Sequence, residues 1–228
     1  NDQIPILAKS GALSKLGGKN VEDMKASCDK RMSDSVTYKG DVYGFPYTSN
    51  TWFMYYDKSK YTEDQVKSLD TMMKKDPLDN SWYVASFYYA GGGQLFGTEG
   101  NDPKAGCNFD DANGVAVTKY LVNLASNKKF SNEKEGSSIS KFKKGKLGAY
   151  CSGSWDAKAI KDALGKNFGV TTVPTINVNG TDGQMKAFAG SKAVGVNPTC
   201  DNPEVAVALA AYLAGEECQQ IRFDTRGI

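Results

Sequence analysis

The chain has 228 residues, of which 40% are hydrophobic, enough for one large core or two small ones and too many for a disordered chain. With 28 basic against 26 acidic residues its net charge is +2. Such a balance points away from nucleic acid or an anionic membrane surface as the main partner.

In chain order, Tyr43-Gly44-Phe45-Pro46 leads into a strand at Trp52-Phe53-Met54-Tyr55-Tyr56-Asp57-Lys58. Thr62-Glu63-Asp64-Gln65 has the form of a capping box, and Val66, Leu69, Met72 and Met73 follow on one face, so a helix is expected near 62–75. Asn80 or Ser81 can cap a second helix that runs through Trp82, Tyr83, Phe87 and Tyr88 and stops at Gly91-Gly92-Gly93. A third starts near Asn113, with Val117, Tyr120, Leu121 and Leu124 at helical spacing. Strands at 147–151, 168–173 and 193–196 are expected to form the sheet that covers it. Asp201-Asn202-Pro203 opens a last helix, which would carry Val205, Leu209, Tyr212 and Leu213 inward. The alternation predicts an α/β protein.

Motifs for catalysis fail on inspection. Histidine is absent, which removes imidazole acid/base triads and His metal sites. Cys28, Cys107, Cys151, Cys200 and Cys218 form no CxxC pair, so zinc ribbons and thioredoxin motifs are excluded; their odd number leaves at least one free thiol, while one disulfide stays open. Free cysteines of this kind are expected to act as small buried hydrophobes. The glycines of residues 11–20 and of 91–97 have the wrong spacing for a phosphate loop or a dinucleotide fingerprint. Asp110-Asp111 reads as a helix cap rather than a glycosidase pair. Asn179-Gly180-Thr181 matches a glycosylation acceptor, but Asn-Gly is the better signal for a hairpin turn. Lys128-Lys129 and Lys141-Phe142-Lys143-Lys144 look like a nucleic-acid patch, yet acidic neighbours make a solvated face the better reading. No run of 18 apolar residues occurs, no cofactor or metal is expected, and the start at Asn1-Asp2-Gln3 falls inside a pattern, as if a preceding segment were removed or not present.

Three blocks carry a family resemblance: Trp52–Lys58 after its Tyr-Gly-Phe-Pro entry, Gly148-Ala149-Tyr150-Cys151-Ser152-Gly153-Ser154-Trp155-Asp156, and Phe188-Ala189-Gly190-Ser191-Lys192-Ala193-Val194-Gly195-Val196-Asn197. In this order the chain resembles the extracellular solute-binding proteins of carbohydrate import systems, the family of the maltose-binding protein. The resemblance implies an α/β, two-lobed, periplasmic-binding-protein-like fold, here incomplete. Residues 1–50 would be part of lobe one, 51–189 lobe two, and 190–228 the return to lobe one. It places Asp2 where the family bonds sugar hydroxyls, Asn50 on the first crossing, and Trp82, within Asp79-Asn80-Ser81-Trp82-Tyr83, at a stacking position. Trp155 matches the second platform, and Lys192 lies at the return hinge. The first strands of lobe one and the final helices of the family are missing, and about a dozen residues are missing near 76–77.

The residue chemistry stands beside this resemblance. Sugars present apolar C–H faces and a rim of hydroxyls, so their sites pair flat rings with short polar groups. Trp82, Tyr83 and Trp155 fall at loop-to-helix entrances, while Asp2, Asn50 and Lys192 flank the expected crossings. Each ring could instead be core, and for Tyr83, Phe87 and Tyr88 the helical spacing favours core; Trp52 is undecided. The expected function is non-enzymatic binding of an oligosaccharide, maltooligosaccharide-like by resemblance, by two lobes that close through hinge motion. Its partners would be that ligand and the membrane permease of an ABC importer, and its place extracellular or periplasmic, lipid-anchored at the outer face of the membrane. The alternative is a carbohydrate-active enzyme such as a glycoside hydrolase, which needs two carboxylates converging on the aromatic cleft. A third reading is a structural module that uses its aromatics for packing.

Overall fold

A computed structural model of the chain describes residues 3–72, 81–98, 100, 102–128 and 137–226. It divides into two compact units, Asn1–Thr51 with Ala189–Ile228 and the continuous stretch Trp52–Phe188. The first begins with α1 (Ile4–Lys9), α2 (Lys19–Ser27) and α3 (Lys30–Asp34), followed by β1 (Thr37–Tyr38), β2 (Asp41–Val42) and β3 (Phe45–Asn50). The β1–β2 turn places Lys39 and Gly40 at positive φ.

The second unit is built on β4 (Trp52–Asp57), followed by α4 (Glu63–Val66), α5 (Leu69–Met72), α6 (Ser81–Ala90), α7 (Ala112–Ala125) and α8 (Ser137–Lys143). Next come β5 (Ala149–Gly153), α9 (Ala157–Leu164), β6 (Phe168–Thr171), β7 (Thr175–Val178) and β8 (Thr181–Gln184). The order β5-β4-β6 makes a three-stranded antiparallel sheet, and β7 pairs with β8. Strand alternation sends Trp52, Met54 and Tyr56 of β4 into a core with Val66, Leu69, Phe87 and Val117. Tyr55 goes to the other face, with Phe142, Leu147, Tyr150 and Ile160. Helices therefore cover both faces, which explains why β4 is apolar along nearly its whole length.

The chain returns to the first unit through β9 (Gly190–Val194), α10 (Pro203–Ala214) and α11 (Glu216–Arg226). Here the strand near 193–196 departs from expectation: β9 pairs with β3, in a sheet of its own rather than with β5 and β6. The expected face of α10 is also corrected. Val205, Leu209, Tyr212 and Leu213 are exposed, while Ala206, Val207, Ala210, Ala211 and Ala214 pack on Val36, Phe45 and Val196. Small side chains let this helix approach β3 and β9 closely, and because it is apolar on both sides its periodicity did not reveal which face would win.

The helix expected near 62–75 is two short ones. The capping box is present, with Gln65 N–H donating to Thr62 Oγ1 at 3.3 Å and Thr62 N–H to Gln65 Oε1 at 2.9 Å. The helix then stops because Thr175 N–H takes the Lys67 carbonyl at 2.8 Å and ties this turn to β7. Residues 73–75, the Asn80 cap and the shortened region near 76–77 lie outside the described residues. Helix α6 ends at its glycines, Gly92 having φ 89°. Asp111 caps α7, accepting from Gly114 N–H at 2.8 Å. The Asn179-Gly180 pair makes the β7–β8 turn with φ of 53° and 84°, a primed hairpin turn. All five cysteines are free thiols; only Cys151 is buried, while Cys107 and Cys200 are exposed, contrary to the buried role expected of them.

Candidate functional site

The antiparallel register brings the start of β4 and the end of β5 to one end of the sheet, with Trp52 opposite Gly153. Beyond Gly153 the chain turns through a short 3-10 helix, Ser154–Asp156, and Trp155 emerges 42% exposed. Its indole lies across Gly153, with ring atoms 2.1–2.4 Å from where a β-carbon on that glycine would be. Only glycine allows a ring to rest on backbone in this way. Asp156 fixes the turn by accepting a 2.7 Å hydrogen bond from Ser152 Oγ.

The start of α6 carries the other aromatics. Tyr83 meets Trp52 edge-on, centroids 5.0 Å apart at 62°. Trp82 packs on Phe188 at 5.3 Å, and Phe188 meets Tyr89 edge-on at 5.7 Å. Trp52 itself is 2% exposed and belongs to the core. Both Trp82 and Tyr83 are half-buried and packed on that core, so of the three predicted aromatics Trp155 offers the most open ring. Phe188, Tyr89 and Phe109 extend the ring cluster, Phe109 stacking on Tyr88 at 4.7 Å and 11°. Of these, only Phe188 stands in a block that the sequence marks, the return hinge. The signal for the platform was Gly153-Ser154-Trp155, a glycine two positions before an aromatic at a strand end.

The polar candidates lie in the first unit. Thr48 pairs with Lys192 and Asn50 with Gly190, so Thr48, Asn50 and Lys192 share one face of the β3–β9 ladder. Lys192 is exposed and Asn50 half-buried. The opposite face is structural: Ser191 is buried and shares a 2.6 Å hydrogen bond with Ser35. Beside it a cavity of about 270 Å³ is lined by Asp29, Arg31, Met32 and Ser49. Asp2 lies outside the described residues.

Electrostatics at the platform follow burial. The Tyr55 phenol, under the same sheet end, is pushed well above the ordinary tyrosine range by burial and then by the charge of Asp156. Burial likewise raises Tyr150. Among the described residues no three His, Cys, Asp or Glu side chains gather as metal ligands, and no helix is long and apolar enough to cross a membrane. What the arrangement offers chemically is a flat, open ring held rigidly at a strand end, suited to stacking on the apolar face of a ligand.

Comparison with known proteins gives this geometry its context. A maltooligosaccharide ABC transporter solute-binding lipoprotein of Streptococcus pneumoniae is 26% identical over 98% of this chain and 56% of its own length. A galactooligosaccharide-binding protein of Bacillus subtilis is 28% identical over 98% of this chain and 56% of its own length. A solved structure with acarbose is 49% identical, with a TM-score of 0.94, over 99% of this chain and 61% of that one. The chain thus spans about half the length of the curated relatives it matches. A model of the bacterial extracellular solute-binding protein family matches residues 1–228. Across its whole length, therefore, the chain belongs to the bacterial extracellular solute-binding proteins.

Proposed function

We propose that the protein binds a maltooligosaccharide-like oligosaccharide without catalysis and delivers it to the permease of an ABC importer. The observation that carries this reading is the Trp155 ring, open to solvent and seated on the backbone of Gly153. A pyranose can lay its C–H face on that ring, with Trp82 and Tyr83 as further aromatic surface of the second unit. From the first unit, Asp2, Asn50 and Lys192 are the residues proposed to bond sugar hydroxyls. The 1–50, 51–189 and 190–228 segments take the roles of lobe one, lobe two and the return to lobe one. The relatives named for maltooligosaccharides and the structure with acarbose support an α-glucan over other sugars. The relative named for galactooligosaccharides makes linkage the point to test. Work at the outer face of a membrane, through a lipid anchor, is the place consistent with a lipoprotein relative.

Calorimetry with maltotriose, maltopentaose and galactotriose on the full chain tests the reading. The expected result is binding of the glucose oligomers, at least about tenfold tighter than galactotriose, with no release of reducing ends on long incubation. Preference for galactotriose would overturn the α-glucan assignment, and reducing ends lost on mutation of a carboxylate near Trp155 would favour the hydrolase.

A further inference from the structure

The sheet that puts Trp52, Gly153 and Trp155 at one end assembles a different chemistry at the other. Because β5 and β6 both run antiparallel to β4, the end of β4 lies beside the beginnings of β5 and β6. Asp57 N–H donates to the Gly148 carbonyl at 2.9 Å and Lys58 N–H to the Asn167 carbonyl at 2.8 Å. The three segments that meet there carry Lys58 and Lys60, then Lys143 at the end of α8 with Lys144 and Lys146 after it, then Lys166, all exposed. Lys60 is a clasp: its ammonium donates to the carbonyls of Gly145 and Leu147 and lies 3.9 Å from the buried Asp57 carboxylate.

The other five make no ion pair among the described residues, whereas Lys15, Lys19, Lys30, Lys67 and Lys158 each pair with an aspartate. By sequence the described acids nearest these lysines are Asp57, which faces Lys60, Glu63 and Asp64 of α4, and Asp162 of α9; Asp64 is held by Lys67 and Asp162 by Lys158. A net charge of +2 thus hides a local concentration of positive charge. None of these segments exposes a large apolar side chain, since Leu147 and Phe142 are buried. An interface with another protein would want such an anchor. Separate ammonium groups spread over three segments, with no guanidinium fork among them, suit a smeared negative surface better than one bound anion.

We propose that this lysine end of the second unit docks on an anionic phospholipid bilayer. The choice of partner rests on the reading that the protein works beside a membrane. Docking by this end leaves Trp155, at the opposite end of the same sheet, clear of the surface it rests on.

The test is co-sedimentation of the full chain with vesicles of phosphatidylcholine alone and with roughly 30% phosphatidylglycerol, a composition that gives a negative surface potential. Binding is expected only to the anionic vesicles, and to be lost near 0.5 M salt, where the Debye length is only about 4 Å. The triple variant K143E/K144E/K146E should bind on the order of a hundredfold more weakly, at about fivefold or more per lysine. Equal binding to both vesicle types, or an unchanged triple variant, overturns the proposal, as does binding to neither. Maltotriose titration of the same variant separates the two readings: retained sugar affinity shows an intact fold, and vesicle binding without any sugar affinity in the wild type would sink the functional reading alone.

Discussion

The phenol of Tyr55 donates a 2.8 Å hydrogen bond to the carbonyl of Gly153, the residue on which the Trp155 ring rests. Burial raises the folded-state pKa of Tyr55 above the ordinary value of 10.0 and also raises that of Tyr150. A raised phenol favours the fold while protonated, so this contribution is complete below the unfolded value and disappears as pH climbs through the folded one. Stability should therefore stay level up to about pH 9 and fall above about pH 10. Urea titrations across that range check it. Tyr55→Phe should lose about 0.5–1.5 kcal/mol at neutral pH and show a shallower alkaline decline. An alkaline decline as steep as the wild type's would exclude Tyr55 from the effect.

Trp155→Ala should weaken oligosaccharide binding by about 1–3 kcal/mol with little change in melting temperature, as for an exposed contact residue. Gly153→Ala gives a second route to the same loss, since its methyl would occupy the space of the indole. Calorimetry that finds Gly153→Ala as tight as wild type would mean that the seat of the ring does not matter for binding.

Trp52 provides the contrast. It is 2% exposed and packed edge-on against Tyr83, so Trp52→Ala should cost about 3–5 kcal/mol of stability by leaving a cavity. The denaturation midpoint reads this directly. A loss under about 1 kcal/mol would show that the site collapses around the missing ring.

At the start of α7, Asp111→Ala removes the acceptor of Gly114 N–H and should destabilise by about 0.5–2 kcal/mol. Asp111→Asn keeps an acceptor and should recover most of it, which thermal unfolding of the pair measures.

What could be read from the sequence was local. The Thr62–Gln65 capping box, the Asp111 cap, the glycine stop after Ala90 and the Asn179-Gly180 hairpin each depend on a few neighbouring residues, and each is present. The failures came from partners distant in sequence. Thr175 ends α4 by capturing the Lys67 carbonyl, and nothing within 62–75 announces that. β9 joined β3 because pairing is chosen by the fold, not by strand propensity. α10 turned its alanines inward since closeness to the sheet outweighed the size of Leu209 and Tyr212. At the candidate site, aromatic content marked Trp82, Tyr83 and Trp155 alike, and their differing exposure emerged only from the way Gly153 and Trp52 are paired.

The β3–β9 ladder also bears on how the chain folds as it leaves the ribosome. Ser35 and Ser191, hydrogen-bonded through α3 and β9, are separated by 156 positions, whereas the β4–β5 and β4–β6 pairs lie wholly inside Trp52–Phe188. At a synthesis rate of about 5–20 residues per second, β3 waits several seconds for its partner β9. In that interval the inserted unit can finish folding, while the edge of β3 that β9 will take is still open. A nascent chain arrested before Gly190 should thus protect the β4–β5–β6 strands from proteolysis and leave Phe45–Asn50 open to cleavage and to binding by chaperones.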